Sequence, residues 1–196
     1  MESPKFKELR RAYGFDEIAI APGTVTLNPS QVNTDFSIDG MTMPTPILAA
    51  GMDAIVSPAF AIKFYEMGGL AVMNLEGVQT RYDNPDEVLN EIADARKEDA
   101  TEILQKAYTA PIREALVGDR VQEIKSKGAL CAVSITPAST KWLAPIAVEA
   151  GADTIVVQST VTTARHISNS KRGLVFSDLL ELINVPVLVG NCVSYD

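Results

Sequence analysis

The sequence predicts an α/β fold in which a parallel sheet is covered by helices. Three observations carry this. Short, nearly all-apolar runs recur along the chain and read as strands buried on both faces. They alternate with segments of helical spacing. No Gly-x-Gly-x-x-Gly follows any of them, so the fingerprint of an open, doubly wound dinucleotide-binding sheet is missing. About five such strands are legible, whereas a closed (β/α)8 barrel needs eight strands and about 250 residues. The 196 residues therefore read as roughly the first five βα units of a longer TIM barrel.

Residues 1–45 form an N-terminal extension, punctuated at Pro4, Gly14, Pro22, Gly23, Pro29, Gly40 and Pro44. Within it, Glu17–Gly23 suits a short extended piece. Val32–Ile38 alternates like a strand, with Val32, Thr34, Phe36 and Ile38 on one face. The partial barrel occupies residues 46–196. Ile47–Ala50 reads as its first strand. Pro58–Met67 reads as a helix, with Ser57 as N-cap, Pro58 in the first helical position and Gly68-Gly69 as the stop. Leu70–Met73 is the second strand.

About fifty residues then pass before the next apolar run, Ala129–Ile135. This stretch, at about 76–128, is rich in Glu, Asp, Lys and Arg. Asn84-Pro85-Asp86-Glu87 starts a helix over Asp86–Glu98, and one or two more helices follow up to Lys127. The charge pattern predicts a solvated excursion on the outside of the sheet. Thr140–Ala150 is a helix stopped by Gly151. Thr154–Gln158 is a strand, Ser177–Ile183 a helix and Val185–Val189 a strand.

Composition narrows the function classes. The chain is 46% hydrophobic and carries a formal net charge of -8. An acidic chain lacks the electrostatic footprint of nucleic-acid or anionic-membrane binding. No apolar run approaches about 18 residues, so no transmembrane helix is expected, and no apolar h-region marks the start. The two cysteines, Cys131 and Cys192, lie in apolar strand-like runs. Their spacing suits neither zinc nor a disulfide framework, which favours reduced thiols and a cytoplasmic location.

The most informative stretch is Pro46-Ile47-Leu48-Ala49-Ala50-Gly51-Met52-Asp53-Ala54-Ile55. A buried strand runs into small residues that let a planar ligand approach the main chain. The thioether of Met52 follows and can pack on that ligand.

This stretch resembles the Pro-Ile-x-Ser-(Ser/Ala)-(Pro/Ala)-Met-Asp segment of inosine-5′-monophosphate dehydrogenases. Phe15–Gly23 is similar to that family's Phe-Asp-Asp-Val-Leu-Leu-x-Pro-Gly opening. Met67–Val72 resembles its Gly-Gly-Ile-Gly strand, and Val185–Asn191 its Pro-Val-Ile-x-Gly-Asn strand. The matches are in family order. The resemblance implies a TIM barrel that oxidises IMP to XMP with NAD, as a homotetramer with a monovalent cation such as K+. Most members insert CBS modules after the second barrel strand. Here the charged excursion takes that place, which resembles the branch without them.

The same resemblance assigns residues. Ala50, Gly51 and Met52 would meet the nucleotide, Met52 packing on the purine, although Ala50 stands where many members carry a serine. Gly190 and Asn191 match the Gly-Asn beside nucleotide and nicotinamide. Gln158, Ser159 and Thr160 stand where dehydrogenases carry Asp-Ser-Ser on the nicotinamide side, so a neutral amide replaces a carboxylate. Arg165 and His166 follow on the same loop, and Arg165 could meet a cofactor phosphate. The family's nucleophilic cysteine sits after a sixth strand, and no position of this chain matches it. Cys192 aligns with a valine and reads as a packing residue, as does Cys131. The same barrel serves GMP reductase, which runs reductive deamination with NADPH, and the loss of the carboxylate at Gln158 keeps that alternative open. A third reading is a nucleotide-binding half-barrel without redox catalysis.

Overall fold

The computed structural model describes residues 11, 13–160, 162–164 and 173–192. The chain divides into two compact units, Met1–Asn33 and Thr34–Asp196. In the first, single 3-10 turns at Phe15–Glu17 and Pro29–Gln31 stand in irregular chain. The backbone N–H of Gly14 donates to the Glu17 carboxylate at 3.0 Å, and that of Asn28 to the Gln31 side chain at 3.1 Å. The piece expected to be extended at Glu17–Gly23 has extended backbone at Ile18 (φ -124°, ψ 155°) and joins no strand among the described residues. Ile18 and Ile20 are exposed there and have no neighbouring ladder to join.

The second unit opens with a hairpin, β1 (Phe36–Ile38) and β2 (Met41–Met43), paired antiparallel. Asp39 and Gly40 make its two-residue turn with φ of 45° and 84°, the left-handed pair that a tight hairpin demands. The strand expected over Val32–Ile38 thus begins at Phe36, and Val32 is exposed.

Five parallel strands follow: β3 (Leu48–Ala49), β4 (Leu70–Asn74), β5 (Ala132–Ile135), β6 (Thr154–Gln158) and β7 (Val187–Gly190). Their spatial order is the sequence order. Every crossover therefore steps in the same direction, whereas a doubly wound sheet reverses at a switch point. With right-handed crossovers the helices all fall on one face. The result is a curled half-barrel.

The helices are α1 (Pro58–Glu66), α2 (Pro85–Ala93), α3 (Ala100–Thr109), α4 (Glu114–Lys125), α5 (Thr140–Glu149) and α6 (Phe176–Leu182). Ser57 caps α1 by accepting from the Phe60 N–H at 3.2 Å. Alternation along the strands divides two faces. Ala71, Met73, Val133, Ile135, Ile155 and Val157 pack with the helices in the main core. Leu70, Val72 and Ala132 turn the other way and meet Met43 of the hairpin in a smaller cluster.

Two expectations for the charged stretch are corrected. The helix expected over Asp86–Glu98 ends at Ala93, and beyond it Arg96 pairs locally with Asp99 at 2.6 Å. The stretch is also not wholly solvated. Its last helix, α4, buries Leu116, Val117, Val121 and Ile124 in the main core and is the crossover helix between β4 and β5. Among the described residues no helix is long and apolar enough to cross a membrane.

Candidate functional site

The C-terminal ends of the strands open into a cavity of about 470 Å³, lined by Gly51, Asn74, Glu76, Ser134, Thr136, Gln158, Ser159, Thr160 and Asn191 among others. In a parallel barrel this is the end that carries chemistry. Each strand delivers an inward residue to it by simple alternation: Asn74 from β4, Ser134 from β5 and Gln158 from β6.

The exits of β6 and β7 are laced together by main chain. The Ser159 N–H donates to the Gly190 carbonyl at 2.8 Å and the Asn191 N–H to the Ser159 carbonyl at 3.0 Å. Thr162 adds its N–H to the Asn191 carbonyl at 2.9 Å and its hydroxyl to the Gly190 carbonyl at 2.8 Å. Side chains hold the exits of β4 and β5. Glu76 accepts from the Thr136 N–H at 2.5 Å, the Thr136 hydroxyl at 3.1 Å and the Ser139 hydroxyl at 2.6 Å. This one carboxylate fixes the turn that starts α5.

At the exit of β3 the chain turns back on itself, with the N–H groups of Ile55 and Val56 both donating to the Met52 carbonyl at 2.9 Å. Met52 is half exposed beyond Gly51. Asp53 accepts from Asn74 Nδ2 and from the Val78 N–H, each at 3.0 Å, and from the Tyr108 hydroxyl at 2.5 Å. Burial first, then the Asp53 carboxylate, raise the Tyr108 pKa well above that of a free phenol, so it stays a donor.

The cavity brings together Gly51, Gln158, Ser159, Thr160 and Asn191 of the residues singled out in the sequence. Ala50 and Met52 flank Gly51 on the same strand exit, and Gly190 ends β7 beside Asn191. Arg165 and His166 lie outside the described residues. Cys131 is buried, with its thiol pushed up to about 12 by burial and then by the Asp153 carboxylate. Cys192 is exposed. Sequence reasoning missed Asn74, Glu76, Ser134 and Thr136. The signal was present: all four lie within the last two positions of an apolar run that reads as a barrel strand or within three residues after it.

Several comparisons bear on this arrangement. A sequence model of the IMP dehydrogenase / GMP reductase domain matches residues 12–196. An uncharacterized oxidoreductase of Mycobacterium tuberculosis is 31% identical over 191 residues, covering 95% of this chain and 51% of its own. One of Mycobacterium leprae is 33% identical over the same shares. The crystal structure of an IMP dehydrogenase/GMP reductase-like protein from Corynebacterium glutamicum superposes with a TM-score of 0.85 at 31% identity, covering 94% of this chain and 50% of that one. The chain thus spans about half the length of the curated relatives it matches.

Proposed function

Because the chain belongs to the IMP dehydrogenase / GMP reductase family, we propose that it supplies the nucleotide-facing half of an oxidoreductase that converts IMP to XMP with NAD. The observation that carries this reading is the cavity at the strand exits, where Gly51, Gln158, Ser159, Thr160 and Asn191 converge. Gly51 lines the cavity with main chain, its own Cβ space being taken by Ser134, and Met52 beside it offers a thioether to the face of a flat purine. The donor set suits the nicotinamide riboside end of a dinucleotide: amides at Gln158 and Asn191 and hydroxyls at Ser159 and Thr160 hydrogen-bond to ribose hydroxyls and a carboxamide without needing charge. When bound, NAD supplies the hydride acceptor of the reaction IMP + NAD+ + H2O → XMP + NADH + H+.

This chain's residues bind and orient in that scheme. The family's nucleophilic cysteine matches no residue of it, and neither Cys131 nor Cys192 is assigned that role. No residue here is assigned to the potassium ion either. A cytoplasmic homotetramer is the setting that the family resemblance supports.

One observation favours the alternative of NADPH-dependent GMP reduction. Gln158 puts a neutral amide where a carboxylate would accept from a ribose. The test assays the full-length gene product with IMP plus NAD and, separately, with GMP plus NADPH, following nicotinamide absorbance. Turnover of the first pair is expected. Turnover of the second pair alone reverses the assigned direction, and failure of both pairs to bind or react removes the purine reading.

A further inference from the structure

The α2–α3 segment has no part in that scheme, yet its last turn reaches the loop that would carry the purine. Tyr108, one residue before the end of α3, donates to Asp53 Oδ2. The same carboxylate accepts from Val78 N–H and from Asn74 Nδ2. Asn74 in turn accepts from the Glu76 N–H at 2.9 Å, and both Asn74 and Glu76 line the cavity. A connected run of hydrogen bonds therefore leads from α3 through Asp53 to the cavity wall.

Two further features show that the chain is shaped around this contact. A Cβ placed on Gly77 would lie 1.9 Å from Asp53 Oδ1, so the chain carries no side chain where the carboxylate sits. The Arg81 guanidinium lies 5.8 Å from the centre of the Tyr108 ring. It donates to the Glu76 carbonyl at 3.0 and 3.1 Å and also to the Ala110 carbonyl. The end of α3 is thus tied at Asp53 and at Arg81 as well as through the Tyr82 hydroxyl.

We propose that Tyr108 is a positioning residue: it fixes the Met52–Asp53 loop against the cavity wall and so makes purine-nucleotide affinity depend on the α2–α3 segment. The nucleotide part rests on the function proposed above; the positioning part rests on geometry alone. Without the phenol, the carboxylate keeps two donors, and Met52 is held by its own short turn.

The experiment uses the full-length gene product and the variant Tyr108→Phe, which keeps the ring beside Arg81 and deletes one oxygen. Tyr82→Phe is the control, because the Tyr82 hydroxyl also ties α3, donating to the Ala107 carbonyl at 2.8 Å. Amide hydrogen exchange without ligand is expected to quicken about fivefold over residues 51–56 in Tyr108→Phe and to stay unchanged there in the control. Calorimetric titration with IMP is expected to give a Kd about fivefold weaker in Tyr108→Phe alone. Unchanged exchange over 51–56 overturns the proposal whatever IMP does, and so does faster exchange with an unchanged Kd. A loss shared equally by both variants would mean that Tyr108 only holds α3 in place. If the unmodified protein does not bind IMP, the purine reading falls, and the exchange result alone decides whether Tyr108 positions the loop.

Discussion

Gly51→Ala tests how tightly the exit of β3 is fitted to β5. A Cβ at Gly51 would lie 2.5 Å from Ser134 Oγ and 3.3 Å from both Ser134 Cβ and the Val72 carbonyl oxygen. The first distance is about 1 Å short of ordinary contact. Retreat is difficult, because Ser134 is 4% exposed and its strand is paired on both sides, with Asn74 on β4 and Val156 on β6. What can yield is the Ser134 rotamer, at about 0.5–1.5 kcal/mol, or the β3 exit itself, at an overpacking cost of about 1–3 kcal/mol. Urea denaturation of the full-length protein is expected to show a loss of about 1–3 kcal/mol with an unchanged m value. Ser134→Ala removes the offending oxygen and leaves contacts of 3.3 Å. The double variant should therefore recover about 1 kcal/mol or more relative to additivity. Additive costs, or a Gly51→Ala loss under about 0.5 kcal/mol, would refute the idea that close approach is what demands glycine here.

Four more outcomes are expected. Cys131 is 1% exposed with its thiol pushed up to about 12, so peptide mapping after thiol labelling at pH 8 should find modification at Cys192 and none at Cys131 in the folded protein. A thiol pKa raised by folding stabilises fully below its unfolded value of about 8.5 and loses that contribution as pH climbs towards the folded value. Between about pH 8.5 and 10, stability should therefore fall with pH, and Cys131→Ala should flatten that slope in pH-dependent urea titrations. Leu143→Ala on α5 empties a fully buried core position and should cost about 2–5 kcal/mol in the same assay. Glu76→Gln keeps one acceptor oxygen where Thr136 and Ser139 now use two. It should cost about 1–2 kcal/mol and speed amide exchange at the start of α5 more than in β6.

The inner strands β4 and β5 were legible because strands buried on both faces leave a plain signal; the buried strand expected at Ile47–Ala50 is instead the two-residue β3, with Ile47 and Leu48 exposed at the edge of the sheet. In Thr154–Gln158 the apolar run Ile155–Val157 is bounded by Thr154 and Gln158, and β6 has those bounds. The α1 start was equally clear from Ser57-Pro58. The family was legible from the ordered motifs around Met52, Gly68 and Gly190, and the match over residues 12–196 bears it out. The hairpin was half seen: Asp39-Gly40 is a strong turn signal, but the alternation upstream drew the strand back to Val32. The α4 crossover was hidden because its exposed face is as charged as that of α2, and only Leu116, Val117, Val121 and Ile124 separate a core helix from a solvated one. The Tyr108–Asp53 contact spans 55 residues of sequence. No periodicity encodes such a pairing, and only the fold brings the two together.

The rim of the cavity is unequal in its fastenings. Around Ser159, Gly190 and Asn191 three of the four ties run from peptide to peptide, and turning a side chain cannot undo those three. Around Asp53 the ties converge on one carboxylate, and a single rotation about its χ1 would release all of them together. Support at the β6 and β7 exits is therefore spread over separate peptide groups, whereas at the β3 exit it is concentrated in one side chain.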